Sequence, residues 1–329
     1  MCASVLITGA TGFIGGHLAE RLVRKGDRVS CLVRASSSLR WLKDLPLEYN
    51  KGEVTDPSSL IEAVRGIEVI YHLASVTKAV RPDDYYRINA GGTRNLLDAC
   101  RRAGPGLRRF ILVSSLAAVG PSTHALPLDE DSPPHPITDY GRSKLEAEQI
   151  AAEYHKDFPI TIVRPPAVYG PRERDIWFYF RMLKKGLSVS IGSTNQLLSL
   201  VYAPDLADAL IHLAGCQRAA GETYFMAHPR PRLWSDISEV ILKALGRNRA
   251  LRLSLPLPIV DVVAWLSEKT CALSGKPALL NRQKMREVRQ PFWVCRTEKL
   301  QRDAGFVCPT DIENGIPETA RWYSEHGWL

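Results

Sequence analysis

Val5-Leu-Ile-Thr8 runs directly into Gly9-Ala-Thr11-Gly12-Phe13-Ile14-Gly15, and an amphipathic helical period continues to Lys25. A short β-branched run, three glycines at three-residue intervals and then a helix are the opening strand, turn and helix of a βαβ unit. Glycine lets the backbone turn tightly and come close to a ligand, while the free amides and positive end of the following helix attract an anion. In this position the loop predicts pyrophosphate binding and not merely a turn. Gly9, Thr11, Gly12, Phe13, Ile14 and Gly15 are its candidate contacts.

Working outward, the first half alternates β-branched runs with helical periods. Strands are predicted at Val5–Thr8, Arg28–Val33, Val69–Leu73, Arg109–Ser114 and Ile160–Arg164. Helices are predicted at Gly15–Lys25, Pro57–Val64, Tyr86–Ala103 and Tyr140–Phe158. Asp56 can cap the free amides of the Pro57 helix, and Pro57 suits its first position, where a missing N–H costs nothing. This alternation predicts an α/β Rossmann-type fold, a doubly wound parallel sheet with helices on both faces. After Pro165 prolines and glycines interrupt the pattern. Residues 1–165 therefore read as an NAD(P)-binding domain and 166–329 mainly as a smaller C-terminal substrate-binding lobe, with some chain returning to the core.

Composition agrees with such a fold. The chain has 329 residues, 45% hydrophobic and 24% charged, enough for a sizeable core and unlike a disordered or collagenous chain. The net charge of +8 is not gathered into a terminal tail, so nucleic-acid binding finds no support. The densest cationic stretch, Arg282, Lys284, Arg286 and Arg289, reads as a solvated helix face. Seven scattered cysteines lack the spacing of a zinc site and suit a reducing, cytoplasmic setting. No export signal is visible. The apolar window Leu253–Leu266, broken by prolines and Asp261, is too short to span a bilayer and reads first as a lid or core helix, second as a membrane-surface helix.

Two further groups carry chemistry. A carboxylate at the end of the second strand would accept the hydrogen bonds of an adenosine ribose with a free 2′-hydroxyl. Here Val33 is followed by Arg34, and Ser37 is near, which suits a 2′-phosphate, so NADP is expected over NAD. Tyr140 and Lys144, four apart on a helix, share a face. Ser114 and Ser115 end the preceding strand, at the sheet edge where such folds bind ligands.

Taken in order, Thr8 to Gly15, Gly52 to Asp56, His72 to Ala74, Asn89 to Asn95, Val113 to Ser115, Tyr140-Gly-Arg-Ser-Lys144 and Arg164 to Pro171 resemble the motifs of the extended short-chain dehydrogenase/reductase family over nearly the whole chain. The resemblance implies that Tyr140 is the general acid or base, with a phenol pKa lowered by the Lys144 ammonium and the cofactor's positive nicotinamide ring. It implies that Lys144 also holds the nicotinamide ribose, and that Ser115, in preference to Ser114, donates to the reacting carbonyl. By the same resemblance Glu53 and Val54 contact the adenine, and Leu73, Ala74 and Ser75 line the cofactor cleft. Val168 brings a backbone group to the carboxamide, with Pro165 on the same side. Glu53 stands where the family usually has Asp. His72 reads as packed or cleft-lining, not catalytic. A homodimer through the Tyr86–Ala103 and Tyr140–Phe158 helices is an inference from the family.

The second lobe bears on substrate. Family members acting on nucleotide sugars carry an arginine and an asparagine that contact the diphosphate; at the corresponding positions stand Leu198 and Ala167. An underpaired buried diphosphate would cost several kcal/mol per uncompensated charge, by order of magnitude. With Leu255, Leu257, Ile259, Val262, Val263, Trp265, Leu266, Phe292 and Trp293 in the lobe, the layout resembles the dihydroflavonol-reductase and 3β-hydroxysteroid-dehydrogenase branch. The expectation is an NADP-dependent interconversion of ketone and secondary alcohol on a medium-sized, largely apolar substrate. The alternatives are a nucleotide-sugar epimerase or dehydratase, using Arg172, Arg174 or Arg181 for the diphosphate, and a non-catalytic NAD(P) sensor.

Overall fold

The computed structural model describes residues 2–191, 196–273, 278 and 281–329. Its first half runs β1 (Ser4–Thr8), α1 (Phe13–Lys25), β2 (Arg28–Val33), β3 (Glu48–Lys51), α2 (Leu60–Ala63), β4 (Val69–His72), α3 (Pro82–Tyr85), α4 (Gly92–Ala103), β5 (Arg109–Val113), α5 (Asp139–Glu153) and β6 (Ile160–Arg164). The second half adds β7 (Ala167–Tyr169), α6 (Asp175–Lys184), β8 (Leu187–Ile191), β9 (Leu197–Leu198), β10 (Leu200–Tyr202), α7 (Ala203–Gly215), β11 (Thr223–Phe225), β12 (Arg232–Leu233) and α8 (Trp234–Ala244). It ends with β13 (Leu251–Leu255), α9 (Leu257–Leu273), α10 (Arg282–Val288), β14 (Phe292–Trp293), α11 (Glu298–Ala304) and α12 (Ile312–Glu325).

The main sheet has seven parallel strands in the order β11-β6-β5-β4-β1-β2-β3. Its central strands are apolar on both faces because both faces are covered. In β1, Val5 and Ile7 join Leu18 and Leu22 of α1 and Leu206 and Leu210 of α7, whereas Leu6 points to Leu96 and Leu97 of α4 and Ile150 of α5. Truncating any of these leucines to alanine should cost about 2–5 kcal/mol. Strand order reverses between β1 and β4, and the carboxyl ends on either side of that point frame the cleft.

Sequence periodicity missed β3 and β11. The first is a polar edge, Glu-Tyr-Asn-Lys, and the second has three residues and returns to the sheet after α7. The predicted Pro57 helix opens as a 3₁₀ turn, with Asp56 accepting from the Ser58 amide at 3.1 Å, before α2. The single helix expected over Tyr86–Ala103 is interrupted by a π-helical turn at Tyr86–Gly91, and α5 closes at Glu153 rather than Phe158.

The remaining elements enclose a second core, in which Tyr179, Phe180, Ile237, Ile241, Ile316 and Tyr323 are buried. The apolar window at 253–266 divides at Pro256 into the end of β13 and most of α9. Among the described side chains of α9, Val260 and Ala264 are buried and meet Met285 of α10. The cationic stretch lies on and just after α10, with Arg282 paired to Glu268, Lys284 to Glu287 and Arg289 to Asp261.

Candidate active site

The glycine loop is built against the end of β4. Gly9 has φ +78°, and a Cβ there would meet the Ala74 amide nitrogen at 2.8 Å and the Leu73 carbonyl carbon at 2.8 Å. A Cβ on Gly15 would stand 2.2 Å from the Gly9 carbonyl oxygen, so the third glycine is what lets α1 close on the loop. Gly12, exposed, is the N-cap of α1 and offers no side chain to the helix amides. Those amides are left for an anion in the field of the helix. Thr11, Phe13 and Ile14 are partly buried around this turn, and Phe13 lies edge-on to His17.

Arg34 is exposed at the carboxyl end of β2, and Ser37 closes the turn by accepting from the Arg34 amide at 3.2 Å. Glu53 is exposed and accepts from the Thr55 hydroxyl, whereas Val54 is buried with its carbonyl bound by Asn95 at 2.9 Å. Leu73, Ala74 and Ser75 are partly buried beside Gly9. Pro165 is buried and its carbonyl accepts from the Leu116 amide at 2.9 Å; Val168 pairs with Val201 between β7 and β10.

Tyr140 is the second residue of α5, just past the N-cap, where the Thr138 hydroxyl accepts from the Gly141 amide at 3.1 Å. Ser115 follows β5 and caps a 3₁₀ turn, accepting from the Ala117 amide at 3.1 Å. Burial pushes the Tyr140 phenol up to about 12, and its hydrogen bond with Ser115 works against that rise. Lys144 is buried and donates to the Val113 carbonyl at 2.6 Å, with its pKa lowered to about 8 by burial and partly restored by Glu148. Of the two charges expected to lower the phenol pKa, the Lys144 ammonium does not offset the burial of Tyr140 in this arrangement. Burial dominates, and the ammonium is directed at the β5 backbone.

A buried polar chain that sequence reasoning did not assemble links the glycine-loop strand to α5. Thr93 donates its hydroxyl proton to the Asn89 carbonyl at 2.7 Å, so it can only accept from His72 Nε2 at 3.0 Å. Burial first, and the Lys144 charge second, lower the His72 pKa to about 3, so the ring is neutral and its Nδ1 accepts from Thr8 at 2.7 Å. Thr8 in turn accepts from the Ala74 amide at 3.2 Å. From Asn89 the chain continues through Ser143, at 2.9 Å, to the Tyr140 carbonyl at 2.8 Å. His72 is thus packed and saturated. The π-helical turn is what carries Asn89 inward, and no apolar period signals such a turn.

Residues 5–227 match the NAD dependent epimerase/dehydratase family. The chain belongs to that family. Among its relatives, sterol demethylase protein B of Methylococcus capsulatus is 34% identical, with 99% of this chain and 100% of the relative aligned. Ceramide reductase of Caulobacter vibrioides is 29% identical over 99% of this chain and 96% of the relative. A dTDP-glucose 4,6-dehydratase from Streptomyces venezuelae, solved with NAD and TYD bound, superposes with a TM-score of 0.81 at 22% identity, covering 99% and 98% of the two chains. As a family member the protein is an NAD(P)-dependent enzyme. The residues present fit a dinucleotide, because Gly9 and Gly15 let the loop close tightly on β4 and on itself, and the start of α1 behind Gly12 carries no side-chain cap, so its amides suit a pyrophosphate.

Proposed function

We propose that the protein is an NADP-linked oxidoreductase that interconverts a ketone and a secondary alcohol on a medium-sized, largely apolar substrate. The observation that carries the substrate reading concerns Leu198 and Ala167, weighed against three arginines. Arg172, whose other partner is Glu20, lies 4.8 Å from the Trp41 ring centroid, Arg174 lies 5.9 Å from that of Trp328, and Arg181 lies 4.9 Å from that of Trp177. Arg172 is paired with Glu20, although its Nε and one terminal nitrogen are buried without a hydrogen-bond partner, and Arg174 and Arg181 are exposed over aromatic faces. Leu198 packs against the second core, and Ala167 has no polar atom to offer in its side chain. Trp293, which packs with Leu116, brings apolar surface beside Ser115. The names of the sterol and ceramide relatives point the same way.

In this reading the glycine loop holds the pyrophosphate, Arg34 and Ser37 hold a 2′-phosphate, and Lys144 turns from Val113 to the nicotinamide ribose. Glu53, Val54, Leu73, Ala74, Ser75, Pro165 and Val168 border the rest of the cofactor. When bound, the nicotinamide exchanges hydride with the substrate carbon. Ser115 donates a hydrogen bond to the carbonyl oxygen, where negative charge develops. Tyr140 holds the proton on Oη and delivers it to that oxygen during reduction, or removes it during oxidation.

A panel of steroid, sphingoid, flavonoid and long-chain ketones, set against UDP- and dTDP-sugars, tests the substrate. NADPH oxidation with at least one apolar ketone is expected, and turnover of the sugar nucleotides alone would overturn the reading. Arg34→Ala should weaken NADPH binding about tenfold to a hundredfold, the worth of a lost charge-assisted contact, while leaving NADH binding unchanged. Equal affinities before and after the substitution would remove the case for NADP.

A further inference from the structure

We infer that the outer face of α9, with β13 beside it in the chain, docks the protein on an anionic lipid bilayer. An ordinary surface helix is apolar on one side only. On α9 the packed side is apolar, but so is the other: Ile259, Val262, Val263, Trp265 and Leu266 are between 46% and 58% exposed. The strand before it repeats the pattern, because Leu251, Leu253 and Leu255 are also exposed. Among the described residues, eight of the fourteen large hydrophobic side chains left exposed therefore fall within sixteen consecutive positions. A patch of this kind calls for a covering surface.

Charge identifies the cover. Residues 247–289 contain nine Lys and Arg against three Asp and Glu, so six of the chain's eight net positive charges lie in 43 residues. Arg252 and Arg286 are exposed there. A self-complementary dimer face would bring this excess against its own copy, whereas an anionic headgroup layer attracts it and admits the apolar side chains beneath. Nucleic acid would be served by the cations but not by five exposed aliphatic and indole side chains. No helix among the described residues is long and apolar enough to cross a membrane, so the contact would be in the plane of the interface.

The packed side of α9 connects to the reaction centre through α10. On α10, which packs against α9, Gln283 accepts from the Asp139 amide at 2.7 Å and donates to its carboxylate at 2.9 Å, one residue before Tyr140. Docking through α9 would thus be linked to the start of α5 through α10. This inference goes beyond the substrate reading, and its test uses no substrate.

The test is flotation of the full-length protein with vesicles of phosphatidylcholine alone or with about 30% phosphatidylglycerol. The protein should float with the anionic vesicles and be released as salt rises from about 0.1 to about 0.5 M. Trp265→Ser with Val262→Ser should weaken binding about tenfold or more through lost apolar insertion. Arg252→Gln and Arg286→Gln should each weaken it about fivefold. All four side chains are exposed, so the unfolding midpoint should not move; if it does, brominated-lipid quenching of tryptophan fluorescence in wild type, absent after Trp265→Phe, decides in place of the serine variant. Failure of the wild type to float would overturn the inference. So would size-exclusion data in which Trp265→Ser converts a dimer to a monomer without changing vesicle binding.

Discussion

Tyr140→Phe should reduce ketone turnover by roughly a thousandfold while leaving the dissociation constant for NADPH within about threefold of wild type. The expected separation follows from which atoms of Tyr140 do what. Its carbonyl accepts from Ser143, closing the polar chain that runs to Asn89, whereas its hydroxyl faces Ser115. Phenylalanine removes only the hydroxyl, so the backbone chain, the capped start of α5 and the glycine loop stay as they are. Single-turnover NADPH oxidation, paired with a fluorescence titration of the cofactor, measures both halves. Turnover near wild type would rule out Tyr140 as the proton donor. The direction of the phenol shift adds a pH signature. With the pKa pushed up to about 12 by burial, the proton is present throughout the neutral range. Reduction should therefore vary little with pH between about 6 and about 9, while oxidation of the alcohol, which needs the ionised phenol, should rise with pH.

The fold was legible where burial on two faces forces an unmistakable pattern, as in Val5–Thr8 and Arg109–Val113. It was not legible at β3, whose residues face solvent at an edge, or at β11, which reaches the sheet only after the chain has passed through β7–β10 and α7. Site residues fixed by local geometry could be read: glycines in a tight turn, and a phenol and an amine four apart on a helix. The Thr8–His72–Thr93–Asn89 chain depends instead on side chains from three elements meeting in one place, one of them through a π-helical turn, and spacing carries no trace of that. The window 253–266, read first as a lid or core helix and second as a membrane-surface helix, is a related case. Apolar content predicts burial, but sequence does not say against what. Packing with Val260 and Ala264 leaves Val262, Val263 and Trp265 turned outward.

Lys144→Met should abolish turnover and yet make the protein more stable at neutral pH. The Lys144 ammonium is buried, with its pKa lowered from 10.5 to about 8, and the direction of that shift sets the sign. Between about 8 and 10.5 the unfolded chain binds a proton that the folded one does not, so stability rises with pH across that window. Below it, the full cost of keeping the charge inside is present, roughly 3 kcal/mol. Methionine has a similar length and carries no charge. It forfeits the charge-assisted hydrogen bond to the Val113 carbonyl, worth about 2 kcal/mol, so a net gain of about 1 kcal/mol is expected. This gain should appear as an unfolding midpoint about one to two degrees higher near pH 7 and should fade as pH approaches 10.5. Thermal unfolding of both proteins across this range, without added cofactor, measures it. A less stable methionine variant at pH 7 would mean that the ammonium is well compensated where it sits. The gain, if found, identifies Lys144 as a charge held inside the protein at a cost in stability, as the proposed role at the ribose would require.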